Sequence, residues 1–159
     1  MSIPPRPFVI ISVLVGTILL LSSSIQKPAD AHDAATGVIK ERMMAMESLG
    51  KATKRIAGMV NGQTDYDGEE LSRLAASVSA SGGKPLTELF PHGSLDKPTE
   101  ALPVIWEKWD RFSELAAALS AQADGLSEAI TESPESARQA FMGLAKTCKD
   151  CHGEFRLKK

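Results

Sequence analysis

Residues 133–156 read SPESARQAFMGLAKTCKDCHGEFR. Ser133 is a good helix cap, and Pro134 suits the first helical position, where its missing N–H and fixed φ do no harm. From there Ala137, Phe141, Leu144, Cys148, Cys151 and Phe155 recur at spacings of three and four, which is one face of a helix. Both cysteines therefore lie on the face this helix buries.

The same spacing recurs upstream, and no segment shows the sustained alternation of a strand. A first helical stretch runs from about Thr36 to Asn61, with Ile39, Arg42, Met46, Leu49, Thr53, Ile56 and Val60 as its inner stripe; Gly62 ends it. A second begins at Asp67-Gly68-Glu69-Glu70, a capping box with Asp67 as cap and Glu70 reaching back. Leu71, Leu74, Ala75 and Val78 give it an apolar face, and Ser81-Gly82-Gly83 stops it. A long connection, Lys84 to Leu102, holds three of the nine prolines. A third helix opens at Pro103 and carries Ile105, Trp109, Phe112, Ala116, Leu119, Ala123 and Leu126 on one face. Four amphipathic helices, two short connections and one long one predict an all-α fold, an antiparallel four-helix bundle. Core packing explains most of these stripes. It does not explain Arg42, a charge on the inner face of the first helix, nor the two inward cysteines.

The chain has 159 residues, enough for one domain. Its net charge of −2, with no basic block outside the final RLKK, argues against a nucleic-acid partner. Residues 1–31 read as a secretory signal: Arg6 in a short positive region, an apolar stretch from Phe8 to Leu21, then Ala29-Asp30-Ala31 as an A-x-A cleavage pattern. This stretch of fourteen residues, interrupted by Ser12, Gly16 and Thr17, is short of the ~20 that span a bilayer, so cleavage is expected ahead of a membrane anchor. The exported domain would be residues 32–159, mildly acidic, beginning at His32.

Cys148-Lys149-Asp150-Cys151-His152 is C-x-x-C-H, the attachment signature of a c-type haem. Thiols three apart on a helix project to neighbouring points, where each can add across one haem vinyl group, and His152 then reaches the iron. Three other uses of such cysteines fit less well. A thioredoxin-type motif belongs at the start of a helix in a strand-containing fold. A disulfide here would close a very short loop. Zinc wants four ligands, and only the isolated His32 and His92 remain. One covalently attached haem c, held by Cys148 and Cys151 with His152 as axial iron ligand, is the expectation.

On these residues the chain resembles the class II c-type cytochromes, the cytochrome c′ and cytochrome c-556 family, over essentially all of residues 32–159. The matching elements are Arg42-x-x-x-Met46, Asn61-Gly62 with Tyr66-Asp67, Leu89-Phe90-Pro91 and Ile105-Trp106-x-x-Trp109. Most specific is Cys148-x-x-Cys151-His152-x-x-Phe155-Arg156, because class I cytochromes place the attachment motif near the N-terminus. The resemblance implies Met46 on the haem face opposite His152 and Arg42 on a haem propionate. Low-spin members use a methionine at that position as second axial ligand. In high-spin members the residue is usually apolar, and the iron stays five-coordinate and open to NO or CO. For Arg156, four after His152, two readings stand side by side: reaching the proximal haem face, or capping the helix end.

No general acid–base pair or nucleophile is suggested, so a non-enzymatic role is expected. The leading expectation is a periplasmic electron carrier cycling Fe(III)/Fe(II), with Met46 and His152 on the iron and other periplasmic proteins as redox partners. The alternative is a five-coordinate NO or CO binder; a stress-protective haem protein with weak peroxidase activity is a third reading without specific support. A homodimer through the first two helices is compatible with the small residues Ala75, Ala76, Ser77, Ser79 and Ala80.

Overall fold

The computed structural model describes residues 35–158, together with Met1. Beyond Met1, the expected signal segment and the cleavage point before His32 lie outside the described residues. Six helices follow in order: α1 (Gly37–Val60), α2 (Gly68–Ser81), α3 (Gly83–Thr87), α4 (Val104–Glu107), α5 (Trp109–Glu132) and α6 (Pro134–Phe155). The four long ones, α1, α2, α5 and α6, are the expected bundle. Among the described residues there is no strand, only an isolated bridge between Ala101 and Arg156. None of the described helices is long and apolar enough to cross a membrane.

Local chemistry sets the ends. Gly62 takes φ 70°, and its N–H donates to Met59 O at 3.2 Å while that of Gln63 donates to Gly58 O at 2.8 Å. This pairing satisfies the last carbonyls of α1 and turns the chain out of the helix. The Asp67 carboxylate caps α2 by accepting from the Glu70 N–H at 2.9 Å. Glu70 itself does not serve the other half of the expected box. Its carboxylate takes both arms of the Arg55 guanidinium, at 2.7 and 2.8 Å, and so ties α2 to α1. A forked cation is a stronger partner for a carboxylate than one backbone N–H. Ser133 Oγ accepts from the Ser136 N–H at 3.0 Å and caps α6, with Pro134 in the first turn.

α5 packs on α6, α2 and α3, and α1 packs on α2 and α6. Ile56 and Met59 of α1, Leu71 and Val78 of α2, Leu126 of α5 and Leu144 of α6 are shut off from solvent between them. Two stripes depart from expectation. The third helix is broken at Lys108 (φ −120°, ψ 42°), so α4 and α5 are out of phase. Trp109, expected to face inward, is 38% exposed and rests against Phe112 with ring centroids 5.6 Å apart. In α1, Ala52 and Met59 join the core, whereas Met46, Leu49 and Thr53 are only half-buried.

Two close approaches fix helix spacing. A Cβ on Gly82 would fall 2.5 Å from Ser120 Oγ and 2.8 Å from Ser120 N, with Ala116 O at 3.2 Å. A Cβ on Gly143 would meet only the amide end of the Gln122 side chain. Backbone cannot step aside, and a side-chain tip can. Gly82→Ala is expected to destabilise the haem-loaded protein by about 1–3 kcal/mol, the usual range for overpacking, and Gly143→Ala by clearly less. Urea unfolding midpoints check the order; equal losses would contradict it.

Candidate haem site

Cys148, Cys151 and His152 occupy the last two turns of α6, where both thiols are free and half-buried. They border a cleft of two lobes. The larger lobe, about 520 Å³, is walled by Arg42, Met43 and Met46 of α1, by Phe90 and residues 98–101 of the connection, and by Cys151, His152, Phe155 and Arg156. The smaller, about 130 Å³, runs inward between Met46, Leu49, Thr53, Leu115, Leu119 and Cys148. Met46, Gly50, Leu86, Cys151 and His152 border both lobes, which makes them one cleft. The half-buried members of the expected stripes, Met46, Leu49, Thr53, Cys148 and Cys151, are cleft-facing. They lack full burial because they line a cavity instead of filling a core.

The donor set and the shape fit a haem. Two thiols and an imidazole stand on the α6 wall, a thioether stands on α1, and the surroundings are largely apolar. Burial raises the pKa of Cys148 and, with the Cys148 and Glu154 charges adding, pushes Cys151 up to about 11. Burial, followed by the nearby Arg156 cation, lowers that of His152 against the opposing pull of Glu100. The lowered value favours the neutral ring, the form that offers a lone pair to a metal.

Gly50 was not anticipated. A Cβ added there would meet no heavy atom within 4 Å, although the residue borders both lobes. Glycine inside a helix costs roughly 1 kcal/mol relative to alanine. A mid-helix glycine one turn after Met46 leaves this stretch of the cleft wall without a side chain. Leu86 of α3 was also missed, because α3 hides inside a connection that reads as loop.

The other methionines of α1, with His92, Arg156 and Arg42, fall as follows. Met43 borders the larger lobe, Met44 is exposed, and Met59 belongs to the core. His92 lies outside the cleft, in a 410 Å³ surface hollow, with its ring 5.2 Å from that of Trp106. Arg156 is the C-cap residue of α6 and pairs with Glu100 at 2.9 Å while bordering the larger lobe. Arg42 is at the rim of that lobe, 4% exposed, and its hydrogen bonds all go to neutral protein acceptors.

Gly50→Leu is expected to leave most chains without covalent haem after maturation, whereas Gly50→Ala loads normally and gains up to about 1 kcal/mol from helix propensity. Haem staining of denaturing gels reads the loading; a fully loaded Gly50→Leu protein would show that this wall does not meet the cofactor.

Residues 37–156 match the family model described as Cytochrome C'. The cytochrome c′ of Rhodopseudomonas palustris is 36% identical over 127 residues, covering 79% of this chain and 86% of that protein. A cytochrome c-556 of Agrobacterium tumefaciens is 31% identical over 123 residues, 77% of this chain and 99% of that one. The solved structure of cytochrome c′ from Rhodopseudomonas palustris superposes with a TM-score of 0.73 at 35% identity, over 79% of this chain and 99% of its own. With a four-helix bundle, a C-terminal Cys-x-x-Cys-His and a cleft between α1 and α6, the chain belongs to the cytochrome c′ family, whose members carry one covalently attached haem c.

Proposed function

We propose that the protein is a periplasmic one-electron carrier, with Cys148 and Cys151 tethering haem c and His152 and Met46 as the two axial ligands. One observation carries this reading: Met46 of α1 and His152 of α6 border both lobes of the same cleft from facing helices. Bound haem c supplies an Fe(III)/Fe(II) couple, and a Met/His ligand pair favours the reduced side of it. The chain's own part is positional. α6 fixes both tethers and the imidazole on one rigid element, while Leu49, Leu86, Leu115 and Leu119 keep the inner lobe dry. Among the described methionines Met46 alone borders both lobes: Met43 borders the larger lobe only, Met44 is exposed and Met59 is in the core.

In the haem-loaded protein Met46→Ala is expected to convert a low-spin ferric spectrum to a high-spin one. It should also lower the reduction potential and allow CO to bind the ferrous form. Optical spectroscopy with potentiometric titration decides it. A wild-type spectrum already high-spin, changed little by Met46→Ala, would remove the ligand role and favour a five-coordinate iron that binds NO or CO.

A further inference from the structure

Arg42 is one residue whose surroundings differ from what the motif implies. Its guanidinium has five N–H donors, and the structure gives each of them a protein acceptor. Nε and Nη2 donate to Leu89 O at 3.0 and 2.8 Å, and Nη2 also donates to Ser94 Oγ at 2.7 Å. Nη1 donates to Ser94 O at 3.1 Å and to Thr99 Oγ1 at 3.0 Å. The same group lies over the Phe90 ring, 4.1 Å from its centroid. Phe90 in turn meets Phe112 edge-on at 4.8 Å, and both rings border the larger lobe, as does Thr99.

Arg42 makes most of the long-range hydrogen bonds to the first part of this segment. Between residues 90 and 99 its backbone N–H groups make only local turns: Phe90 to Thr87 O, Ser94 to Pro91 O, Leu95 to Gly93 O, and Thr99 to Asp96 O. Its far end is strapped to the tail of α6 by Leu102 N–H on Phe155 O at 3.0 Å and Leu157 N–H on Glu100 O at 2.8 Å. The near end is held by the five hydrogen bonds of Arg42 and by the Trp106 indole, whose Nε1–H donates to Phe90 O at 3.0 Å.

We propose that Arg42 is a positioning residue, a clamp that holds residues 89–99 in place as a wall of the haem cavity, instead of the direct hydrogen-bond partner of a propionate. A propionate could take one of its donors only by displacing an acceptor from a largely dry site, where losing a partner is costly. The positive charge still attracts the anionic edge of the cofactor through space. A lysine would keep that charge, but its three donors on a single nitrogen cannot reproduce the fork. The inference rests on haem in this cleft and not on Met46 ligation, so either can fail while the other stands.

Two variants of the haem-loaded protein test it. Arg42→Lys keeps the charge, and Ser94→Ala/Thr99→Val keeps the guanidinium but removes two of its side-chain acceptors. In both, the amides of Phe90, Ser94 and Thr99 are expected to exchange with deuterium at least about tenfold faster, while those of Leu126 and Leu144 keep wild-type rates. The reduction potential shifts downward in both as water reaches the haem edge. Wild-type exchange and potential in Ser94→Ala/Thr99→Val would overturn the clamp, as would full rescue of both readings by Arg42→Lys. Acceleration spread evenly into Leu126 and Leu144 would also overturn it, by reducing Arg42 to a general contribution to stability.

Discussion

In the proposed site two thiols and an imidazole on the final turns of one helix would hold a flat, rigid cofactor at three points, and the remaining elements would conform to its plane. α1 has to bring Met46 to the same level and keep Gly50 bare behind it. α3 and the connection after it have to close the outer edge, which they do with Leu86, Phe90 and residues 98–101. α6 therefore sets the geometry, and the other helices answer to it.

Burial stabilises the cleft wall, through Ile105, Phe112 and Phe155, as well as the core beyond it. Ile56, Met59, Leu71, Val78, Leu126 and Leu144 bury their side chains almost completely, and such burial contributes about 1.5–3 kcal/mol per large apolar side chain. The ion pairs are mostly exposed, as with Lys51–Glu47, Arg138–Glu135 and Lys146–Asp150, and such pairs contribute little. Arg42 is the exception among the cations: buried, and fully hydrogen-bonded to chain 47 to 57 residues away. A charge held there by neutral acceptors is expensive to desolvate. Its presence fits a site that an anionic group approaches.

Much of this was legible in the sequence. Asp67 and Ser133 announced their helices because capping is decided within four residues, and Gly62 announced the end of α1 for the same reason. The Cys-x-x-Cys-His motif stands out in the sequence because the chemistry expected of it demands a fixed spacing. Properties set by distant residues were not. Glu70 found Arg55 across the bundle, and Trp109 turned outward after a break at Lys108 that no periodicity signals. The α1 stripe divided for a subtler reason: Met46, Leu49 and Thr53 face the cleft while Ile56 and Val60 join the core, and one apolar stripe cannot distinguish the two faces. The partners of Arg42 lie in irregular backbone, where pattern carries no information about contact.

The account turns on a bond between Met46 and the iron opposite His152. X-ray absorption at the iron K-edge of the purified wild-type protein measures the ligand set without any substitution. The predicted result is six-coordinate iron in both oxidation states, with one sulfur neighbour in addition to the porphyrin and histidine nitrogens. Five-coordinate iron surrounded by nitrogen alone would contradict it.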